Sequence, residues 1–201
     1  ITGRENTFYD TTFIWVELSD TPLPAEGILV SQPYYVKPYL IPYNREIQLE
    51  IALDRLSFPE HMGIYSFNDK KSTWNYMPSI YNFDSTYMRT SILSGEIFAI
   101  IKESNPPELS TFIPQINGTY YSTDLKHISF NVDDTFTGIE GETDVIMKLD
   151  GKRVIFEYNS YQKKIRYPLK YNLIKGTHTL YVWASDKIGN EIVVEGEFYI
   201  K

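Results

Sequence analysis

Apolar and polar residues alternate along several stretches of this chain, which is the pattern of a half-buried β-strand. In residues 46–52 the side chains of Ile47, Leu49 and Ile51 share one face, and polar residues take the other. Residues 126–132 and 178–184 repeat this spacing. Helical spacing of apolar residues is scarce. The pattern therefore predicts an all-β fold of mainly antiparallel strands.

Glycine-containing turns separate the predicted strands. Asp150-Gly151 predicts a tight hairpin, because a type I′ turn needs positive φ at both central residues. Ser94-Gly95 predicts a hairpin between the strands on either side of it. The predicted strands cover residues 12–18, 28–31, 46–52, 63–67, 73–77, 89–93, 96–102, 112–116, 126–132, 144–149, 152–158, 164–167, 177–184 and 191–200. Strands at this spacing in the second half favour an immunoglobulin-like sandwich.

Prolines divide the chain. Pro106 and Pro107 remove two backbone donors and force extended geometry before them, so a central strand does not run through this point. We therefore predict two tandem β-sandwich domains, an N-terminal one at 1–104 and an immunoglobulin-like one at 105–201. Within the first, Pro33, Pro38 and Pro42 predict a bent edge segment or a loop at 32–43.

Composition narrows the function further. The net charge of −7 excludes a general nucleic-acid binder, because polyphosphate would meet the wrong sign. The chain has no Cys, which excludes disulfides, thiol nucleophiles and cysteine-ligated zinc. No stretch approaches the roughly 20 apolar residues of a transmembrane helix. The chain begins at Ile1 without a signal-peptide pattern, so we expect it to be a piece of a longer protein.

Catalytic motifs are not found in the sequence. His61, His127 and His178 lack the spacing of metal ligands on one strand or helix. Neither a Gly-x-Ser-x-Gly elbow nor a Gly-rich phosphate loop occurs. We therefore expect that this chain is not itself an enzyme and holds no cofactor, with calcium as the one exception considered.

The calcium hypothesis rests on an acidic loop at 133–144. Asp133, Asp134, Glu140 and Asp144 supply the hard oxygen ligands that calcium takes, although their spacing is not that of an EF-hand. The alternative is a solvated loop in which Asp134 makes an Asx-turn before Gly138.

Aromatic residues of the first half form the candidate ligand-binding set. They are Trp74, Tyr76, Tyr81, Phe83 and Tyr87. Exposed rings of this kind stack on sugars or grip a protein partner. The alternative is that Trp74 and Tyr76 belong to the core and the others brace a loop.

Several short motifs carry a family resemblance. In the second half they are Phe130-Asn131-Val132-Asp133-Asp134, Gly138-Ile139, Leu149-Asp150-Gly151-Lys152, Gly176-Thr177-His178-Thr179-Leu180, Ala184-Ser185-Asp186 and Gly189-Asn190. In the first half they are Gly63-Ile64-Tyr65, Trp74-Asn75-Tyr76 and Phe98-Ala99-Ile100, leading into Pro106-Pro107. This tandem resembles the C-terminal accessory β-sandwich and immunoglobulin-like region of bacterial lysostaphin-like zinc peptidases, which cut cell-wall peptide cross-links, and of related exported proteins.

The resemblance implies a non-catalytic extracytoplasmic module, located in the periplasm, on the cell surface or in the medium. Such a module positions a partner domain of the parent polypeptide or binds a cell-wall or surface ligand. The zinc-ligand motifs of those peptidases have no match here, so no catalytic residue is carried over. Two alternatives remain open: a carbohydrate-binding module that uses the first-domain aromatics, and a structural spacer or adhesin stalk.

Overall fold

The computed structural model describes residues 1–53, 60–82 and 86–201. Across these ranges the predicted all-β fold is confirmed, and the helical content is one 3-10 turn at Glu142–Asp144. The chain divides into two compact units, unit 1 at Ile1–Ser104 and unit 2 at Asn105–Lys201. Within the described ranges, nothing helical has the length and apolar character needed to cross a membrane.

Unit 1 is a sandwich of two sheets. Its strands are β1 (Trp15–Leu18), β2 (Ile28–Leu29), β3 (Tyr34–Lys37), β4 (Pro42–Ala52), β5 (Met62–Asn68), β6 (Thr73–Met77), β7 (Ser79–Asn82), β8 (Tyr87–Ser94) and β9 (Ile97–Lys102). One sheet has the order β1-β3-β9-β5-β6, with β2 also paired to β9, and the other has the order β4-β8-β7.

The alternation along β4 produces the core of unit 1. Ile47, Leu49 and Ile51 are each at most 4% exposed, and they join Ile64 and Ile100 of the other sheet in one apolar cluster. Because side chains alternate across a strand, the polar residues between them must face away from this cluster. That constraint creates the polar face on which the candidate site lies.

Unit 2 is also a sandwich of two sheets. Its strands are β10 (Glu108–Ile113), β11 (Thr119–Tyr120), β12 (His127–Asp133), β13 (Val145–Leu149), β14 (Lys152–Arg153), β15 (Glu157–Asn159), β16 (Lys164–Pro168), β17 (Gly176–Ser185) and β18 (Glu191–Ile200). The two sheet orders are β10-β12-β16-β15 and β11-β18-β17-β13-β14. Between the sheets, Ile128, Phe130 and Val132 pack with Leu180 and Val182, all at most 1% exposed.

The turns differ in how well local sequence predicts them. Asp150 and Gly151 adopt φ values of 49° and 73° between β13 and β14, as a tight hairpin requires. Ser94-Gly95 does not form a hairpin, because β8 and β9 belong to different sheets. A side chain at Gly95 would overlap the carbonyl oxygens of Val36 and Pro38, so the glycine permits this crossing.

Two predicted strands and one segment predicted as a bent edge or a loop are placed differently in the structure. The stretch 152–158 divides into β14 and β15, which lie in different sheets. The strand predicted at 112–116 is β10, which begins earlier, at Glu108. The segment 32–43 contains β3, which lies between β1 and β9 rather than at an edge. Pro33 and Pro38 flank this strand, so neither removes a donor from inside it.

Candidate functional site

Trp74 and Tyr76 lie on β6 in largely covered positions. Trp74 is 5% exposed, its indole Nε1–H donates to the Pro22 carbonyl at 3.1 Å, and its ring lies 5.2 Å from that of Phe67. Tyr76 is half-buried and meets Tyr65 edge to face at 5.6 Å. Trp74 therefore presents no free ring face on which a sugar could stack.

Tyr81 and Tyr87 lie on opposite sides of their sheet. Tyr81 pairs with Met88 and packs against the core, whereas Tyr87 lies opposite Asn82. The Tyr87 hydroxyl accepts a hydrogen bond from Asn82 Nδ2 at 2.9 Å. Phe83 lies outside the described residues. The four described aromatics therefore do not assemble into one exposed stacking surface, because the alternation of the strands separates them.

Two aspartates of the acidic loop at 133–144 have partners within unit 2. Asp134 Oδ1 accepts backbone N–H groups from Phe136, Thr137 and Gly138 at 3.1, 2.7 and 2.6 Å, which is a local turn built around one carboxylate. Asp133 pairs with Lys163 at 2.5 Å.

Asp144 makes a further hydrogen bond within this loop. Its Oδ2 accepts from the Glu140 backbone N–H at 2.7 Å. No three of Asp133, Asp134, Glu140 and Asp144 bring ligand atoms within 4.8 Å of one another in the described part of the chain. Calcium binding by this set of four remains a prediction.

Sequence reasoning missed a close neighbour of Asp134. Asp186, which is 4% exposed, brings a carboxylate oxygen within 4.8 Å of an Asp134 oxygen. Asp186 itself accepts from the backbone of Ile188 and Asn190 at 2.9 and 2.8 Å and from Asn190 Nδ2 at 2.7 Å. The Asp186-to-Asn190 turn was visible in the sequence, but its approach to Asp134 depends on how the strands assemble.

His178 is a buried structural histidine. Its Nδ1 lies 2.7 Å from Asp150 Oδ2 and its Nε2 lies 2.8 Å from the Ile174 carbonyl oxygen. Burial lowers the pKa of His178, but the bonds to Ile174 and Asp150 outweigh burial, so its pKa is raised. Both ring nitrogens are thereby used to tie a loop to the β13–β14 turn.

A polar groove lies on the outward side of β4, β8 and β7. Because Ile47 and Leu49 point into the core, Glu46 and Gln48 point outward, and Gln48 lies opposite Ser91 across the sheet. Two depressions of about 560 and 430 Å³ follow this side and share Glu46, Gln48 and Ser91. Because they share these residues, they form one continuous surface of mixed polar and apolar character across three strands.

Three arginines line this surface, which we call the arginine groove and define by Arg4, Arg45, Glu46, Gln48, Arg89 and Ser91. Thr2 exchanges two backbone hydrogen bonds with Gln48, at 2.9 and 2.8 Å, and so lays the N-terminal segment beside β4. The guanidinium groups of Arg4, Arg45 and Arg89 make no hydrogen bond or ion pair with any described residue.

Unpaired guanidinium groups give the groove its chemistry. An arginine presents five donors in a planar fork that matches a carboxylate or phosphate. Gln48 and Ser91 add neutral hydrogen-bonding groups, and Ile80 and Leu93, 66% and 54% exposed, add apolar surface at the margins. The sequence signal for this site was the alternation of 46–52, but the arginines that meet there are far apart in the chain.

Comparisons with known proteins add little to this geometry. No protein-family model and no curated protein matches the chain. CopC from Methylosinus trichosporium OB3b is similar at 13% identity and a TM-score of 0.39, over 47% of this chain and 93% of that chain. Dimeric latent PorU from Porphyromonas gingivalis is similar at 10% identity and a TM-score of 0.36, over 94% of this chain and 24% of that chain. Likeness at this level carries no functional argument.

Proposed function

We propose that this chain is a non-catalytic accessory module that works outside the cytoplasm. It binds a cell-wall or surface ligand and positions a partner domain of the same polypeptide. The observation that carries the binding role is the arginine groove, where the guanidinium groups of exposed Arg4 and Arg45 and of half-buried Arg89 have no partner among the described residues. The resemblance to peptidase accessory regions supports the location and the link to a partner domain.

The use of titratable groups supports a non-catalytic role. A general acid or base needs a proton-transferring group within hydrogen-bond reach of a substrate. His178 has both nitrogens occupied, and Asp134 and Asp186 are engaged by their own turns. In the described part of the chain, no cluster of three metal-ligating side chains includes a histidine.

The strand order of unit 2 supports an immunoglobulin-like identity for that unit. Immunoglobulin sandwiches place strands A-B-E-D in one sheet and C-F-G in the other. The order β10-β12-β16-β15 corresponds to the first, and β13-β17-β18 corresponds to the second. Modules of this architecture commonly serve as positioning and binding domains, although a fold alone does not assign a function.

The two alternatives have less support. An aromatic carbohydrate site would need exposed rings on one surface, and Trp74 is buried while Tyr81 faces the core. A spacer or stalk needs no ligand, and it leaves three arginines that converge on one groove without an explanation.

Co-sedimentation with purified bacterial cell walls tests the proposed function. We expect the chain to sediment with the walls and to release no soluble fragments from them, with protein spun alone as the control for aggregation. A chain that stays in the supernatant with walls and with a panel of surface polysaccharides would support the spacer. Release of wall fragments by the purified chain would instead show catalysis and contradict the proposal.

A further inference from the structure

We propose that the arginine groove binds a linear polysaccharide whose sugars carry carboxylate groups. This inference rests on the proposed function and names the ligand class of that site. The first argument is charge. The chain carries a net charge of −7, yet Arg4, Arg45 and Arg89 line this groove. Two acids share its face of the sheet, Glu46 and Glu50, and Glu50 lies opposite Arg89, so the arginines exceed the acids by one. A local excess of positive charge on an acidic protein favours an anionic ligand.

The spacing of the arginines favours a polymer. Arg89 lies opposite Glu50 in the sheet, and Arg45 precedes Glu50 by five residues on β4. The register shifts between Pro42 and Ile47, so Arg45 lies beside the stretch Ile92–Ser94 of β8, three to five residues from Arg89. At about 3.4 Å per strand residue, this places their Cα atoms roughly 10 to 17 Å apart along the sheet. An extended ligand that carries charges at intervals along its length fits this backbone spacing better than a single charged group does.

The groups between the arginines favour sugar. Glu46, Gln48 and Ser91 separate Arg45 from Arg89 along the groove, and all three accept hydrogen bonds. A ligand without hydrogen-bond donors would leave the Glu46 carboxylate facing the negative charges of the ligand. A carboxylated polysaccharide supplies acids for the arginines and hydroxyls for Glu46, Gln48 and Ser91. Polyglutamate also supplies acids, but its donors are backbone N–H groups rather than the hydroxyl groups that flank each acid in such a sugar chain.

Titration calorimetry with oligogalacturonate tests the ligand class. The matched control ligand is the methyl-esterified oligomer, which keeps the sugars and hydroxyls and removes the charge. We expect the ester to bind at least about tenfold more weakly, because each charged pair lost is of the order of one factor of ten. We also expect binding of the acidic oligomer to weaken as NaCl is raised.

Paired variants test the position of the site. Arg45→Ala with Arg89→Ala removes two charges from the groove, and Lys70→Ala with Lys71→Ala removes two exposed charges from the turn between β5 and β6. We expect the arginine pair to lose binding by about tenfold or more and the lysine pair to keep it. Arg45→Lys with Arg89→Lys keeps the charge without the fork, and it should bind at an intermediate strength.

The outcomes separate this inference from the proposed function. Equal binding of the ester, equal loss in the lysine pair, or equal binding of polyglutamate would overturn the carboxylated-sugar assignment while wall binding still stood. An arginine pair that loses oligogalacturonate but keeps a native circular dichroism spectrum supports it. Failure to bind the walls and every polysaccharide tested would overturn the proposed function itself.

Discussion

The arginine groove of unit 1 and the acidic turns of unit 2 use charge in opposite ways. In unit 2, Asp134 and Asp186 each accept hydrogen bonds from neighbouring backbone N–H groups, so each carboxylate stabilises the turn in which it lies. In the groove, the guanidinium groups of Arg45 and Arg89 have no hydrogen-bond or ion-pair partner among the described residues. The contrast separates charge that stabilises a fold from charge that is left for a ligand.

The physical basis of this contrast is geometry. A short aspartate side chain reaches the N–H groups of the next few residues and satisfies donors that a tight turn would otherwise leave unpaired. An arginine on the outward face of a strand projects away from its own backbone, and its partners must come from across the sheet or from outside. The clearest tests therefore compare stability in one region with binding in the other.

The largest expected effect on stability is at Asp186. Asp186→Ala removes the acceptor of three hydrogen bonds at a position that is 4% exposed. We expect the free energy of unfolding to fall by about 3 kcal/mol, because buried donors are left without a charged acceptor. Urea unfolding measures this, with Glu195→Ala on β18 as the exposed control that removes the same charge. A loss no larger than that of the control would contradict the structural role.

A smaller effect concerns the pH dependence of unit 2. The pKa of His178 is raised in the folded state, above its ordinary value of about 6.5. The charged ring therefore stabilises the fold fully below about pH 6.5, and this contribution is lost as the pH rises through the raised pKa. We expect the free energy of unfolding of His178→Gln to fall less than that of the unchanged chain as the pH rises from about 6.5 through the raised pKa. Urea unfolding at a series of pH values measures this.

His127 provides the control for this titration. Burial, Arg166 and Lys164 lower the pKa of His127, so its contribution has the opposite sign and grows as the pH rises toward the unfolded value. We expect His127→Gln to leave the fall assigned to His178 in place. If both variants reduce the pH dependence of stability equally, the contact between His178 and Asp150 is not the source of that dependence.

A still smaller effect is expected from calcium. The approach of Asp134 and Asp186 oxygens to within 4.8 Å predicts that any rise in melting temperature with millimolar calcium depends on Asp186. Because Asp186→Asn keeps the size of the side chain and removes its charge, we expect that variant to lose the rise. Glu195→Gln on β18, an exposed acid outside the candidate calcium set, is the matched control and should keep it. A melting temperature that is the same in calcium and in chelator would remove the calcium hypothesis.

The smallest expected effect is the stability of the groove variant. Arg45→Ala with Arg89→Ala removes side chains that make no described hydrogen bond or ion pair. We expect the free energy of unfolding to change by no more than about 0.5 kcal/mol, as is usual for surface substitutions. A loss approaching that of Asp186→Ala would show that the arginines stabilise unit 1, and the contrast between the two regions would fail.

Local pattern predicted much of the fold. The alternation of apolar residues identified the inward faces of β4, β12 and β17, and Asp150-Gly151 identified its hairpin. These features are determined by residues that are adjacent in sequence, so a local pattern is enough to predict them. The pattern did not predict that Ser94-Gly95 joins two different sheets, because a sheet crossing and a hairpin use similar turn residues.

The sequence by itself determined the all-β class, the burial of alternate side chains and the acidic character of the chain. The tertiary structure alone decided which polar residues meet. It separated Tyr81 and Tyr87 onto opposite faces of their sheet and brought Asp186 to Asp134. It also placed Arg45 and Arg89 along one sheet. Strand pairing joins residues that are distant in sequence, and register sets which of them share a face, so no local pattern contains that information.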